Sequence, residues 1–128
     1  MTRRPLELRM NNVPNLAQPY AEFDEITEKG TKKKFSNFKE VRKSIDMVTD
    51  QVCGNSKQII DKPIVLNVFS KSCPNLTVID LPGITSIPVG DQPKDIYQIT
   101  RNMALRYITE ERAIILCVIP ANQDLATS

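Results

Sequence analysis

The stretch Asn75 to Ile96, NLTVIDLPGITSIPVGDQPKDI, decides how the chain is read. Leu76 to Ile79 is short, apolar and β-branched, which predicts a strand, and Asp80 closes it. Leu81 to Pro93 carries three prolines and two glycines, so the strand must give way to a long loop. Ile96, Ile99, Met103 and Tyr107 then recur at helical spacing, predicting a helix from about Lys94 to Thr109. Ala113 to Ile119 is apolar on both faces, the pattern of a buried central strand. Strand, loop, helix and strand over residues 76–119 make a βαβ unit, whose ligand site forms at the carboxyl ends of its strands. The loop at that position is Asp80-Leu81-Pro82-Gly83. Its carboxylate can hold a hydrated Mg²⁺, and its glycine, lacking a Cβ, lets an N–H approach a terminal phosphate. On these four residues alone, a strand-end turn in which Asp and Gly serve only the backbone is the simpler reading.

Outward from this stretch, the elements are equally regular. Ile64 to Ser70 (IVLNVFS) is β-branched and aromatic, bounded by Pro63 and Cys73-Pro74, and predicts another strand. Phe38, Val41, Ile45, Val48 and Val52 lie 3 and 4 apart by turns, one face of an amphipathic helix. Asn37 and Glu40 form a capping box at its start, and Gly54 supplies a left-handed cap at its end. Glu28 to Lys34 is a polar turn or exposed loop, and Tyr20 to Ile26 alternates weakly, as a short edge strand would. Asn11 to Pro19 is a loop. Leu6, Leu8 and Met10 alternate with Glu7 and Arg9, predicting a half-buried strand.

Composition bounds the function. The 128 residues are one domain's worth of sequence, 41% hydrophobic and 25% charged. A net charge of +2 gives no global drive toward nucleic acid or membrane. The longest apolar run has seven residues, far short of the ~20 of a membrane span. The N-terminus has arginines but no apolar segment behind them, so it is no secretory signal. Cys53, Cys73 and Cys117 are far apart and odd in number, which fits free thiols in a reducing compartment; Cys117, inside the apolar run, reads as a small core residue. The absence of histidine removes Ser-His-Asp and Cys-His nucleophile systems.

The longer string from Asn75 to Ile96 closely resembles the second switch region of dynamin-family GTPases. TRRPLELRM (Thr2 to Met10) resembles the family's first switch and the strand after it. PANQDLATS (Pro120 to Ser128) is similar to the segment after the next core strand, and EVRKSIDMVTDQVCG falls at the family's spacing. The resemblance implies an α/β fold, part of a P-loop GTPase domain with a mixed central sheet and helices on both faces, residues 1–128 running from the first switch to the loop after the strand that follows the second. It implies GTP and Mg²⁺ as ligands. Thr2 matches the threonine that helps hold Mg²⁺ and the attacking water, and Asp80 the carboxylate of the magnesium shell. Leu81, Pro82 and Gly83 complete the nucleotide-binding turn, Gly83 as donor to the γ-phosphate. Asp124 falls where two GTPase domains of the family meet head to head. The parent would be a self-assembling, membrane-remodelling GTPase, cytoplasmic and recruited peripherally to membranes. It would form homo-oligomers through GTPase-domain and stalk contacts, touch membranes through other domains and have microtubules as a further partner, but no nucleic acid.

The departures are specific. No GxxxxGK[ST] phosphate loop and no TKxD guanine-reading motif occurs in the 128 residues. The piece therefore reads as the central part of a GTPase domain, expected to be inactive and to fold poorly by itself, its sheet lacking the strand before the phosphate loop and the strand leading to TKxD. A catalytically dead scaffold relative is the alternative, and the antiviral Mx branch a narrower one; GDQP and TRRP are closer to the dynamin-type branch. Lys29 to Lys43 holds seven basic residues and one acidic residue, read as a solvated loop and helix face because no aromatic platform interleaves the lysines. Arg3 and Arg4 read as a local structural pair in preference to phosphate ligands. The sequon Asn75-Leu76-Thr77 is discounted because it enters a strand expected to be buried.

Overall fold

In the computed structural model, which describes residues 2–24, 32–54, 58–84 and 94–122, the alternating segments form a five-stranded mixed sheet. Two helices accompany it. In chain order the elements are β1 (Leu6–Asn12), β2 (Tyr20–Phe23), β3 (Lys34–Phe35), α1 (Phe38–Cys53), β4 (Ile64–Ser70), β5 (Leu76–Asp80) and α2 (Ile96–Ile108). Across the sheet the order is β3-β2-β4-β1-β5. β1 runs parallel to β4, from Leu6 opposite Ile64 to Asn12 opposite Ser70, and antiparallel to β5, with Leu6 opposite Asp80. β2 is antiparallel to both β4 and β3.

Register places Leu8, Leu66 and Phe23 side by side, with Ala21 opposite Val68 and Phe35 opposite Ala21. α1 delivers Val41 and Ile45 onto this face, and the cluster so formed is the core. The helix starts as its periodicity demands. Asn37 Oδ1 accepts the Lys39 N–H at 3.0 Å, so the cap closes on Lys39, and the expected reciprocal bond from Glu40 is not part of it. It ends at Gly54, with φ +65°, whose N–H donates to Asp50 O at 2.8 Å. α2 buries Ile96, Thr100, Met103 and Ala104, a stripe rotated from the expected Ile96-Ile99-Met103-Tyr107 face. Thr100 is tolerated inside because its hydroxyl donates to Ile96 O at 2.9 Å. Arg106 pairs with Asp61 at 2.6 Å, tying α2 to the segment before β4.

Four expectations are overturned. β2 is interior to the sheet, and the edge on its side is β3, whose Lys34 the sequence assigned to a polar loop; Phe35, 4% exposed, pulls these residues into the sheet by packing on Ala21. β5 is exposed along its whole length, so the sequon at Asn75 does not enter a buried strand; the Asn75 carboxamide oxygen accepts the Asn12 N–H at 2.7 Å. Residues 113–119 form no strand: Ile114 is 98% and Leu116 86% exposed, and Cys117 is exposed rather than in a core. The βαβ unit over 76–119 therefore does not close, and the parallel pair is β1 and β4, joined through β2, β3 and α1. A two-faced apolar run encodes a demand for neighbours on both sides, not their identity.

Candidate functional site

Because β5 is antiparallel to β1, its carboxyl end lies beside the amino end of β1, where Leu6 pairs with Asp80. This is the opposite end of the sheet from the carboxyl ends of the parallel pair, Asn12 and Ser70, so the strand-end rule holds here for β5 alone. The antiparallel register brings Thr2, four residues before β1, to Asp80, 78 positions away in sequence. The Thr2 hydroxyl donates to Asp80 Oδ2 at 3.2 Å. Thr2 is half-buried and Asp80 exposed. In the segment that follows, Pro82 is buried and Leu81 half-buried, which anchors it, while Gly83 is exposed. Among the described residues, none lies within 4 Å of where a Gly83 Cβ would stand.

Five of the six sequence-selected residues thus gather at one corner: Thr2, Asp80, Leu81, Pro82 and Gly83. The sixth, Asp124, lies outside the described residues, as do residues 85–93, which include Pro88 and Pro93. The corner's oxygen donors are one hydroxyl and one carboxylate. Among the described residues no group of three or more His, Cys, Asp or Glu side chains could enclose a metal. A hard cation that uses one or two protein oxygens and keeps waters and phosphate oxygens for the rest, as Mg²⁺ does, fits this set.

The arginines behind Thr2 resolve into distinct roles. Arg4 is 2% exposed and gives its guanidinium to backbone carbonyls: Nε to Lys62 O at 2.7 Å, Nη1 to Val48 O at 2.8 Å and Nη2 to Pro63 O at 3.4 Å. Arg3 donates to Gly54 O at 3.1 Å and pairs with the Asp50 carboxylate. Both therefore act locally, and a charged residue beside a strand start carried no signal of which carbonyls it would meet.

The lysine-rich segment is likewise engaged with the chain itself. Lys32 pairs with Asp24 at 3.1 Å, Lys33 lies over the Phe35 ring at 4.9 Å and Lys34 over Tyr20 at 4.8 Å. Aromatic rings do accompany these lysines, contrary to expectation, but as intramolecular partners.

A family model described as "Dynamin family" matches residues 1–128, the whole chain. The chain belongs to the dynamin family. It is 48% identical over 128 residues to dynamin-1 of Homo sapiens and 52% identical to dynamin-3 of Rattus norvegicus. It is 48% identical to dynamin of Drosophila melanogaster. In each case the match covers all of this chain and 14% of the relative, so the chain spans about one-seventh of the length of these dynamins. No helix among the described residues of this dynamin-family chain is long and apolar enough to cross a membrane.

Proposed function

We propose that residues 1–128 are the switch-bearing part of a dynamin-type GTPase domain, whose parent hydrolyses GTP by direct attack of water on the γ-phosphate. The observation that carries this reading is the Thr2–Asp80 contact at 3.2 Å, which joins the two motifs matched to the two switches. In this reading the Thr2 hydroxyl and the Asp80 carboxylate would hold Mg²⁺, which would supply charge neutralisation at the phosphates. The Thr2 carbonyl orients the attacking water, and the open Gly83 N–H donates to the γ-phosphate. Leu81 and Pro82 hold that amide in place. Asp124 serves the contact between two GTPase domains. For the parent the reading extends to self-assembly and to peripheral recruitment to membranes from the cytoplasm, with membrane remodelling as the outcome and microtubules as a further partner; family membership supports the self-assembly.

The test is Thr2→Ala in the full-length protein. Turnover at saturating GTP should fall by about 10²-fold or more, with GTP affinity changed less than about threefold, since positioning and charge stabilisation supply most of phosphoryl-transfer catalysis. Unchanged turnover would remove Thr2 from the site. For the isolated 128 residues, calorimetry should detect no magnesium-dependent GTP binding in the micromolar range, because the chain contains no GxxxxGK[ST] to cradle the β-phosphate. Micromolar binding by the isolated chain would overturn that part of the reading.

A further inference from the structure

The segment that follows Thr2 is held by α1 and by the approach to β4. Arg4, among the largest fully buried side chains, spends its donors on carbonyls of α1 (Val48) and of the approach to β4 (Lys62, Pro63). Pro5, equally buried, accepts the Ile64 N–H at 2.7 Å, and Arg3 accepts the Ile60 N–H at 3.0 Å through its own carbonyl. The Arg3 side chain adds Gly54 O and the Asp50 carboxylate. α1 has no basic residue in its last turn, so the positive charge that its C-terminal carbonyls favour comes from this neighbouring segment.

We propose that Arg4 is a positioning residue for the Thr2–Asp80 pair, acting through the backbone of residues 3–5, with Arg3 assisting. The inference rests on the reading of that pair as a nucleotide site. Adjacent Cα atoms are ~3.8 Å apart across a trans peptide, so Thr2 cannot move far once Arg3 and Arg4 are fixed. The guanidinium suits the task because its planar fork reaches carbonyls in several directions at once, which an ammonium on a flexible stem cannot do. The end of α1 thereby sets where the Thr2 hydroxyl stands relative to Asp80.

The experiment compares wild type, Thr2→Ala, Arg4→Lys and Arg4→Gln in the full-length protein. Fluorescent GDP titration counts competent sites and gives affinity, and kcat is expressed per titrated site. Arg4→Lys and Arg4→Gln should lower kcat per site by about tenfold or more with GDP affinity within about threefold, because misplacing a reacting group by ~1 Å can cost 10²-fold. A role limited to folding would lower the melting temperature and the number of sites but leave kcat per site within about twofold of wild type; that result overturns the proposal. Lost turnover in Thr2→Ala beside unchanged kcat per site in Arg4→Lys sinks the positioning role alone, whereas unchanged turnover in Thr2→Ala sinks the site and this role together. If neither Arg4 variant folds, Asp50→Ala, at an exposed helix position, loosens the Arg3 half of the clamp. A loss of about threefold in kcat at constant affinity then supports the proposal, and unchanged kcat overturns it.

Discussion

Asp24 and Asp80 both stand at the ends of strands, and their partners separate them. Asp24 accepts from the Lys32 ammonium at 3.1 Å, which holds its carboxyl below the ordinary carboxylate value, with Arg9 and a bond from Asn67 adding to the effect. Asp80 accepts from a neutral hydroxyl, a contact that leaves its negative charge available to a cation. Since the folded-state pKa of Asp24 is depressed, its pair with Lys32 stabilises the fold above the unfolded carboxylate pKa and is lost as pH falls through the lower folded value. Its exposure keeps that contribution small. An NMR titration of the Asp24 carboxyl should give a midpoint below 3.8, and Lys32→Ala should raise it. A midpoint unmoved by Lys32→Ala would show that the ammonium is not the cause.

Among the elements, α1 depends most on its ends. Its face is legible from Phe38, Val41, Ile45, Val48 and Val52, and the bounds Phe38–Cys53 follow from Asn37 before it and Gly54 after it. Gly54 adopts φ +65°, a conformation that strains any residue with a Cβ, although no described residue lies within 4 Å of where that Cβ would stand. Gly54→Ala should therefore cost about 1 kcal/mol in a denaturation midpoint, from backbone strain alone. Neutral stability would mean that the helix end relaxes without loss. β1, β4 and α1 were legible because their signals are local: a period of two, a β-branched run, a 3–4 stripe with caps. β3 was not, because two residues, Lys34 and Phe35, hold no period, and only packing of Phe35 onto Ala21 makes them a strand.

At the scale of the molecule, apolar surface is distributed unevenly. One sheet face closes over the α1 core, while Leu76, Val78 and Ile79 of the β5 edge and Ile114, Ile115, Leu116 and Val118 stay exposed. An edge strand with exposed apolar side chains, together with a second exposed apolar run, favours association between chains. Sedimentation velocity of the isolated 128 residues in the micromolar range should show species that grow with concentration, and Ile114→Lys with Leu116→Lys should return them toward monomer. A concentration-independent monomer for the unsubstituted chain would contradict this.

Much of the candidate site could be read before any fold was known. Asp80-Leu81-Pro82-Gly83 at a strand end, with Thr2 supplied by the family resemblance, names the same residues that the folded chain gathers. The amino-acid sequence by itself determined the main periodic elements, the family and those residue types. Only the tertiary structure decided that Thr2 touches Asp80, that Arg3 and Arg4 turn to carbonyls, that β2 is interior and that residues 113–119 stay unpaired. Periodicity is a property of neighbours along the chain, whereas the partner of Thr2 and the nearest acceptor of the buried Arg4 guanidinium come from positions 78 and 44 residues away, which no local pattern encodes.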